Sequence, residues 1–65
     1  MTDLEKLKHL LDHWMEHNDA HVKTYSEWAD KAASMDRKDI AEILDQIIDE
    51  SRNMNTLFVK AKEII

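Results

Sequence analysis

Four histidines recur at every fourth position in the first half of the chain, at residues 9, 13, 17 and 21. Imidazoles with this spacing lie on neighbouring turns of a helix and can chelate one metal ion, as in HExxH zinc helices. Because four residues overshoot one helical turn, the ladder drifts by about 40° per step. We therefore expect His9 and His13 to face solvent or the outer flank. His17 should lie at the edge of the core and His21 inside it.

The best chelating pair in this ladder is His17 with His21, assisted by His13. Glu50, from the second half of the chain, is the expected third ligand or imidazole partner. With water or a symmetry-related chain completing the shell, such a set suits nickel, zinc or cobalt. The alternative is structural: His21 is then a core histidine that hydrogen-bonds Glu50 or Asn18 and sets the helix register.

Catalytic motifs are absent from the sequence. The chain contains no cysteine and no glycine, which removes thiolate metal sites, covalent haem attachment and glycine-rich phosphate loops. Di-iron carboxylate bundles need Glu-x-x-His motifs. The residues three before the histidines are instead Lys6, Leu10, Trp14 and Asn18. We therefore expect that the protein is not an enzyme.

Length and charge restrict the remaining functions. The 65 residues form a single domain, 1–65, whose core is marginal unless a metal or a second chain supports it. The net charge of −5 repels phosphate backbones, so we expect no nucleic-acid partner. No apolar run approaches the roughly 20 residues of a membrane span, and the polar, acidic N-terminus is unlike a secretory signal. A cytoplasmic location is expected.

Two long helices are predicted to position these side chains, since neither glycine nor proline interrupts the chain. Thr2 begins a capping box that starts a helix over 3–33. A turn is predicted at 34–36, with Asp36 as the N-cap of a second helix over 37–64. So short a connection makes the helices antiparallel. The predicted fold class is therefore all-α, a two-helix hairpin.

One stripe on each helix, with alternating steps of three and four, is predicted to form the core. On the first helix the stripe is Leu4, Leu7, Leu11, Trp14, Asn18, His21, Tyr25, Trp28 and Ala32. On the second helix it is Ile40, Ile43, Leu44, Ile47, Ser51, Met54, Phe58, Ala61 and Ile65.

The second stripe is flanked by further apolar residues, namely Ala41, Ile48, Leu57, Val59 and Ile64. An apolar arc wider than about 100° favours more than one neighbouring helix. We therefore expect two hairpins to pair as a twofold homodimer, forming a four-helix bundle. The alternative is that a different protein, or a larger parent assembly, covers this flank.

Polar residues interrupt both stripes halfway along. Asn18 and His21 stand in the first stripe, and Ser51, flanked by Glu50 and Asn55, stands in the second. Folding the hairpin at the turn pairs residues whose numbers sum to about seventy-one, so the interruptions meet in one polar layer. Buried polar groups are costly unless they are paired. A layer that matches across both helices therefore indicates a structural or functional use.

The segment 13–21 reads HWMEHNDAH, and it is followed by Tyr25 and by WADKA at 28–32. These segments resemble an uncharacterised family of short helical-hairpin domains from anaerobic prokaryotes, built around an HWxxHNxxH helix and a WAxKA segment. The resemblance covers the first helix well and the second helix only as an apolar pattern. Some members of that family accompany small nickel-handling proteins. The resemblance implies a role for His13, His17, Asn18 and His21.

Three functional hypotheses follow from the sequence. The first is a homodimer that binds nickel, zinc or cobalt through the histidine ladder, for metal handling or sensing. The second is a non-catalytic oligomerisation or protein-interaction module, whose polar layer only specifies pairing. The third is a pH-responsive dimer, because protonating the four histidines takes the net charge from −5 to about −1.

Overall fold

A computed structural model describes residues 2–65 and contains two helices in that range, α1 (Asp3–Ser34) and α2 (Lys38–Glu63). The helices pack against each other as an antiparallel hairpin with Cα extents of 51 × 15 × 11 Å. Neither described helix carries an apolar stretch long enough to cross a membrane. The predicted all-α hairpin is confirmed, and its helix bounds lie within one residue of the predicted ones.

The start of α1 follows the predicted cap. The backbone N–H of Glu5 donates to Thr2 Oγ1 at 3.2 Å, and the N–H of Lys6 donates to the Thr2 carbonyl at 3.0 Å. Asp3 and Glu5 also place negative charge in the first turn, where the helix dipole favours it. The helix therefore begins at Asp3, as its capping residue predicts.

The turn between the helices is a Schellman motif centred on Asp36. The N–H of Asp36 donates to the Ala33 carbonyl at 3.1 Å, and the N–H of Arg37 donates to the Ala32 carbonyl at 2.9 Å. Asp36 has a φ of 60°, a left-handed conformation that glycine usually takes. The prediction that Asp36 caps α2 is wrong, because this residue terminates α1. The N-cap of α2 is Arg37, which makes no side-chain cap bond.

The first turn of α2 carries an exposed ion pair. The Arg37 guanidinium donates to the Asp39 carboxylate at 3.1 and 3.2 Å. This hydrogen bond, followed by the backbone N–H of Ile40, lowers the pKa of the Asp39 carboxyl below its usual value. Because both side chains are exposed, the pair contributes little to the folding free energy.

The row of α1 that packs against α2 differs from the predicted stripe at every second member. The inner row of α1 is Leu11, Met15, Asn18, Val22, Tyr25, Ala29 and Ala32. Trp14, His21 and Trp28, which the sequence predicts in the core, are exposed. The residue after each of them takes the inward position. The two rows have the same period, so periodicity alone does not choose between them.

The same displacement occurs on α2. Its inner row is Ala41, Leu44, Ile48, Ser51, Asn55, Phe58 and Lys62. Five residues of the predicted core stripe are exposed, namely Ile40, Ile43, Ile47, Met54 and Ile65. The inner row of α2 is therefore the more polar of two neighbouring rows, and a specific interaction must hold it inward.

Asn18 supplies that interaction near the middle of the hairpin. Its Nδ2 donates to the Ser51 carbonyl at 2.6 Å and to Asn55 Oδ1 at 2.9 Å. Asn55 Nδ2 donates in turn to Asp19 Oδ1. Ser51 and Asn55 lie on either side of residue 53, the position that the predicted register sets opposite Asn18. The bonds therefore set both the register and the rotation of each helix.

Replacing Asp36 with glycine is expected to stabilise the hairpin by about 0.5–1 kcal/mol, because glycine takes the left-handed conformation without the Cβ contact. Urea denaturation followed by circular dichroism measures the change. An Asp36→Val variant should be less stable than the wild type, because a branched Cβ is least tolerated there. A glycine variant less stable than the wild type would contradict the described turn.

Replacing Asn18 with alanine is expected to lower the free energy of unfolding by about 1–2 kcal/mol, because two acceptors at the helix interface lose this donor. The same denaturation experiment measures this loss. Asn53→Ala, the same change at an exposed position of α2, is the matched control and should cost much less. Equal losses in the two variants would show that the Asn18 bonds do not hold the hairpin.

Candidate functional site

An open groove of about 360 Å³ lies on one side of the hairpin, around its middle. It is lined by His13, Trp14, His17, Asn18 and His21 of α1 and by Met54 and Phe58 of α2. The Trp14 ring packs against Phe58 at one end, with ring centroids 6.3 Å apart and planes inclined by 43°. The groove thus combines three imidazoles with an apolar wall, at the small end of the volumes typical of ligand pockets.

The four-residue spacing places consecutive imidazoles beside one another. The ring centroids of His13 and His17 are 4.4 Å apart in an edge-to-face arrangement, and those of His17 and His21 are 6.5 Å apart. His21 stacks on Tyr25 at 6.0 Å with 15° between the planes. All four histidines are exposed. The prediction that His21 points into the core is wrong, because Val22 takes the inward position.

One chain does not complete the predicted metal site. Within residues 2–65, no group of three or more histidine, cysteine, aspartate or glutamate side chains lies close enough to hold an ion. Glu50, the predicted third ligand, is exposed on α2. The hairpin register nonetheless sets Glu50 level with His21. One hairpin therefore offers adjacent pairs of imidazoles, which is half of a tetrahedral shell.

The predicted polar layer divides into two parts in the structure. The hydrogen-bonded part consists of Asn18, Ser51 and Asn55. His21 and Glu50 lie outside it, exposed to solvent. Sequence reasoning missed Asp19, which accepts from Asn55 and follows Asn18 directly in the chain. No buried side-chain polar atom of the described residues lacks a partner, so this part is structurally satisfied without the histidines.

The groove is the centre of a larger surface, which we call the open face. Its members are the exposed residues one position before the inner rows, together with Leu7, Met35 and Ile64, which lie seven residues from such positions. In an antiparallel hairpin these positions share one side. From the first half of the chain they are Leu7, Leu10, Trp14, His17, His21, Thr24, Trp28, Lys31 and Met35. From α2 they are Ile40, Ile43, Ile47, Glu50, Met54, Leu57 and Ile64. Every member is exposed, and Glu50 is the single acidic residue among them.

The opposite side of the hairpin, which we call the closed face, consists of the positions that directly follow the inner rows. It is mostly polar and includes Asp12, Asp19, Asp45, Asp49 and Val59. The Lys62 ammonium forms an ion pair with the Asp12 carboxylate across the two helices. Asp19 accepts the hydrogen bond from Asn55 on the same side. Two polar contacts therefore join the helices on the closed face, whereas the open face presents mainly apolar side chains to solvent.

Comparison with known proteins places the chain in a family. The model of a domain of unknown function, DUF8180, matches residues 7–65. An uncharacterised protein from Archaeoglobus fulgidus is 34% identical over 62 residues, which cover 95% of this chain and 98% of that protein. No solved structure matches. The family's histidine and WAxKA motifs and its anaerobic origin stay predictions, but the resemblance to an uncharacterised family is confirmed: the chain belongs to the DUF8180 family of domains of unknown function.

Proposed function

We propose that this chain is a self-associating helical module, in which two copies pair through their open faces into a twofold four-helix bundle. One observation carries the proposal: on α2, the row that faces away from α1 is more apolar than the row that packs against it. The outward row is Ile40, Ile43, Ile47, Glu50, Met54 and Leu57. The inward row is Ala41, Leu44, Ile48, Ser51, Asn55 and Phe58.

Burial of apolar surface is the main favourable term in folding, at about 25 cal/mol per Å². A lone hairpin would bury more apolar surface if the outward row of α2, which we call the isoleucine row, faced α1 instead. The bonds of Asn18 to Ser51 and Asn55 hold the other row inward instead. The isoleucine row is therefore available to a neighbouring molecule.

The accessible surface area of the chain is large enough to support an interface of ordinary size with a partner. The chain exposes 5135 Å², whereas a compact monomer of its mass, 7.7 kDa, exposes about 4,300 Å². The difference of about 800 Å² equals the area that each partner contributes to a standard protein interface. A second hairpin of the same size would supply the matching area.

A second copy also suits the charge distribution of the open face. The chain has a net charge of −5, which would repel an identical copy if acidic groups met. On the open face the charged residues are only Lys31 and Glu50, and Lys31 Nζ lies over the Trp28 ring at 4.3 Å from its centroid. Twofold pairing brings one surface against itself, and this surface carries almost no charge to oppose that contact.

The pairing is tested by placing a charge on the open face. Ile47→Glu is expected to weaken dimerisation by about 100-fold or more, because the symmetric interface buries two carboxylates without partners. Val59→Glu is the matched control: Val59 is also 39% exposed, as is Ile47, but it follows the inner row instead of preceding it. Sedimentation equilibrium over a concentration series measures both dissociation constants.

The wild type should be dimeric at micromolar concentration. The dissociation constant of Val59→Glu should stay within about threefold of the wild-type value. Two results would overturn the proposal. One is a wild type that stays monomeric at millimolar concentration, in which case the open face serves a different protein. The other is an equal weakening of dimerisation in the two variants, which would show that the dimer contact does not lie on the open face.

A further inference from the structure

We infer that two paired open faces assemble an intersubunit site for a divalent transition metal, with His17 and His21 of both copies as its ligands. The inference rests on the proposed pairing. It assigns a use to the polar centre of an otherwise apolar surface, and it explains why one chain presents a pair of imidazoles without a third ligand.

The position of the pair along the hairpin favours such a site. α1 runs from Asp3 to Ser34, so His17 and His21 lie on either side of its midpoint. A twofold axis parallel to the helices places every residue at the same height as its equivalent in the other chain. A twofold axis perpendicular to the helices makes the two hairpins run in opposite directions. Only residues near the middle then stay at the same height as their equivalents. In both arrangements the two histidine pairs lie level with each other at the middle of the bundle.

Once they are buried in the dimer, the histidine side chains need polar partners. Pairing of the open faces removes four imidazoles from water, and buried polar groups are costly unless each finds a partner. One metal ion can bind one nitrogen of each of the four imidazoles. Four neutral imidazoles in tetrahedral arrangement suit zinc, and imidazole ligands also suit cobalt and nickel.

The spacing of the rings is close to what chelation needs. Two imidazoles on one tetrahedral ion have centroids roughly 5 Å apart, given metal–nitrogen bonds of about 2.1 Å. The His17 and His21 centroids are 6.5 Å apart. Both side chains are exposed, so small rotations about their side-chain bonds bring the nitrogens together. His13 also lines the groove and lies nearer to His17, at 4.4 Å, but it does not directly precede a residue of the inner row.

Glu50 is the charged group best placed to support the site. It belongs to the open face and is level with His21 in the hairpin register. A metal-bound imidazole usually donates its second N–H to a carboxylate, which orients the ring. Two copies of Glu50 would also balance the charge of a divalent ion.

The test titrates tag-free protein with Zn²⁺ and with Co²⁺, after removal of bound metal with EDTA. We expect one ion per two chains, and for Co²⁺ the intense visible absorption of a tetrahedral nitrogen shell. His17→Ala combined with His21→Ala should weaken binding by at least about 100-fold, since loss of outer-shell partners alone costs 10–100-fold. His9→Ala, a control from the same ladder that lies outside the groove, should stay within about tenfold.

Sedimentation in EDTA separates failure of this inference from failure of the pairing. A metal-free dimer that binds no ion, or binds no more tightly than the His17/His21 double variant, overturns the metal site and leaves the pairing standing. One ion per chain, or a larger loss in His9→Ala, also overturns the assigned ligands. A chain that is monomeric with and without metal overturns both proposals. Ile47→Glu should weaken ion binding as well, because the shell needs both copies.

Discussion

The carboxamide of Asn18 is the contact on which the arrangement of the hairpin depends. Its two donors reach the Ser51 carbonyl and Asn55 Oδ1 across the helix interface. A rotation of either helix by one position, about 100°, would break both bonds. Since a half-buried amide without a partner is costly, these bonds favour the observed inner row of α2 over its more apolar outward row.

That choice divides the surface of the hairpin into two chemically different faces. On the closed face, the Asp12–Lys62 ion pair and the Asn55–Asp19 hydrogen bond join the helices. On the open face, the isoleucine row of α2 stands beside Trp14 and a groove. The helix interface is specified by polar contacts, which leaves much of the apolar surface for association. Small domains commonly complete their cores through a second chain in this way.

The histidine ladder has a different meaning in the structure from the one its spacing suggests. The sequence predicts His21 in the core beside Asn18, yet Asn18 is satisfied by α2 and the exposed His21 stacks on Tyr25. The structural layer and the imidazole row are therefore separate features on adjacent rows. This separation leaves the imidazoles free of structural bonds, which is a requirement for ligands that bind an external ion.

By itself the sequence determined the two helices, their antiparallel order and their register. Thr2 begins α1, no glycine or proline interrupts either helix, and the polar residues around Asn18 and Ser51 match only when the hairpin folds at the turn. Only the tertiary structure decided which row faces inward, because the predicted and observed rows share every second member, have the same period and are both largely apolar. Val22 beside His21 was the local signal for α1. On α2 the apolar content favoured the wrong row, since hydrogen bonds to Asn18 outweigh hydrophobicity there.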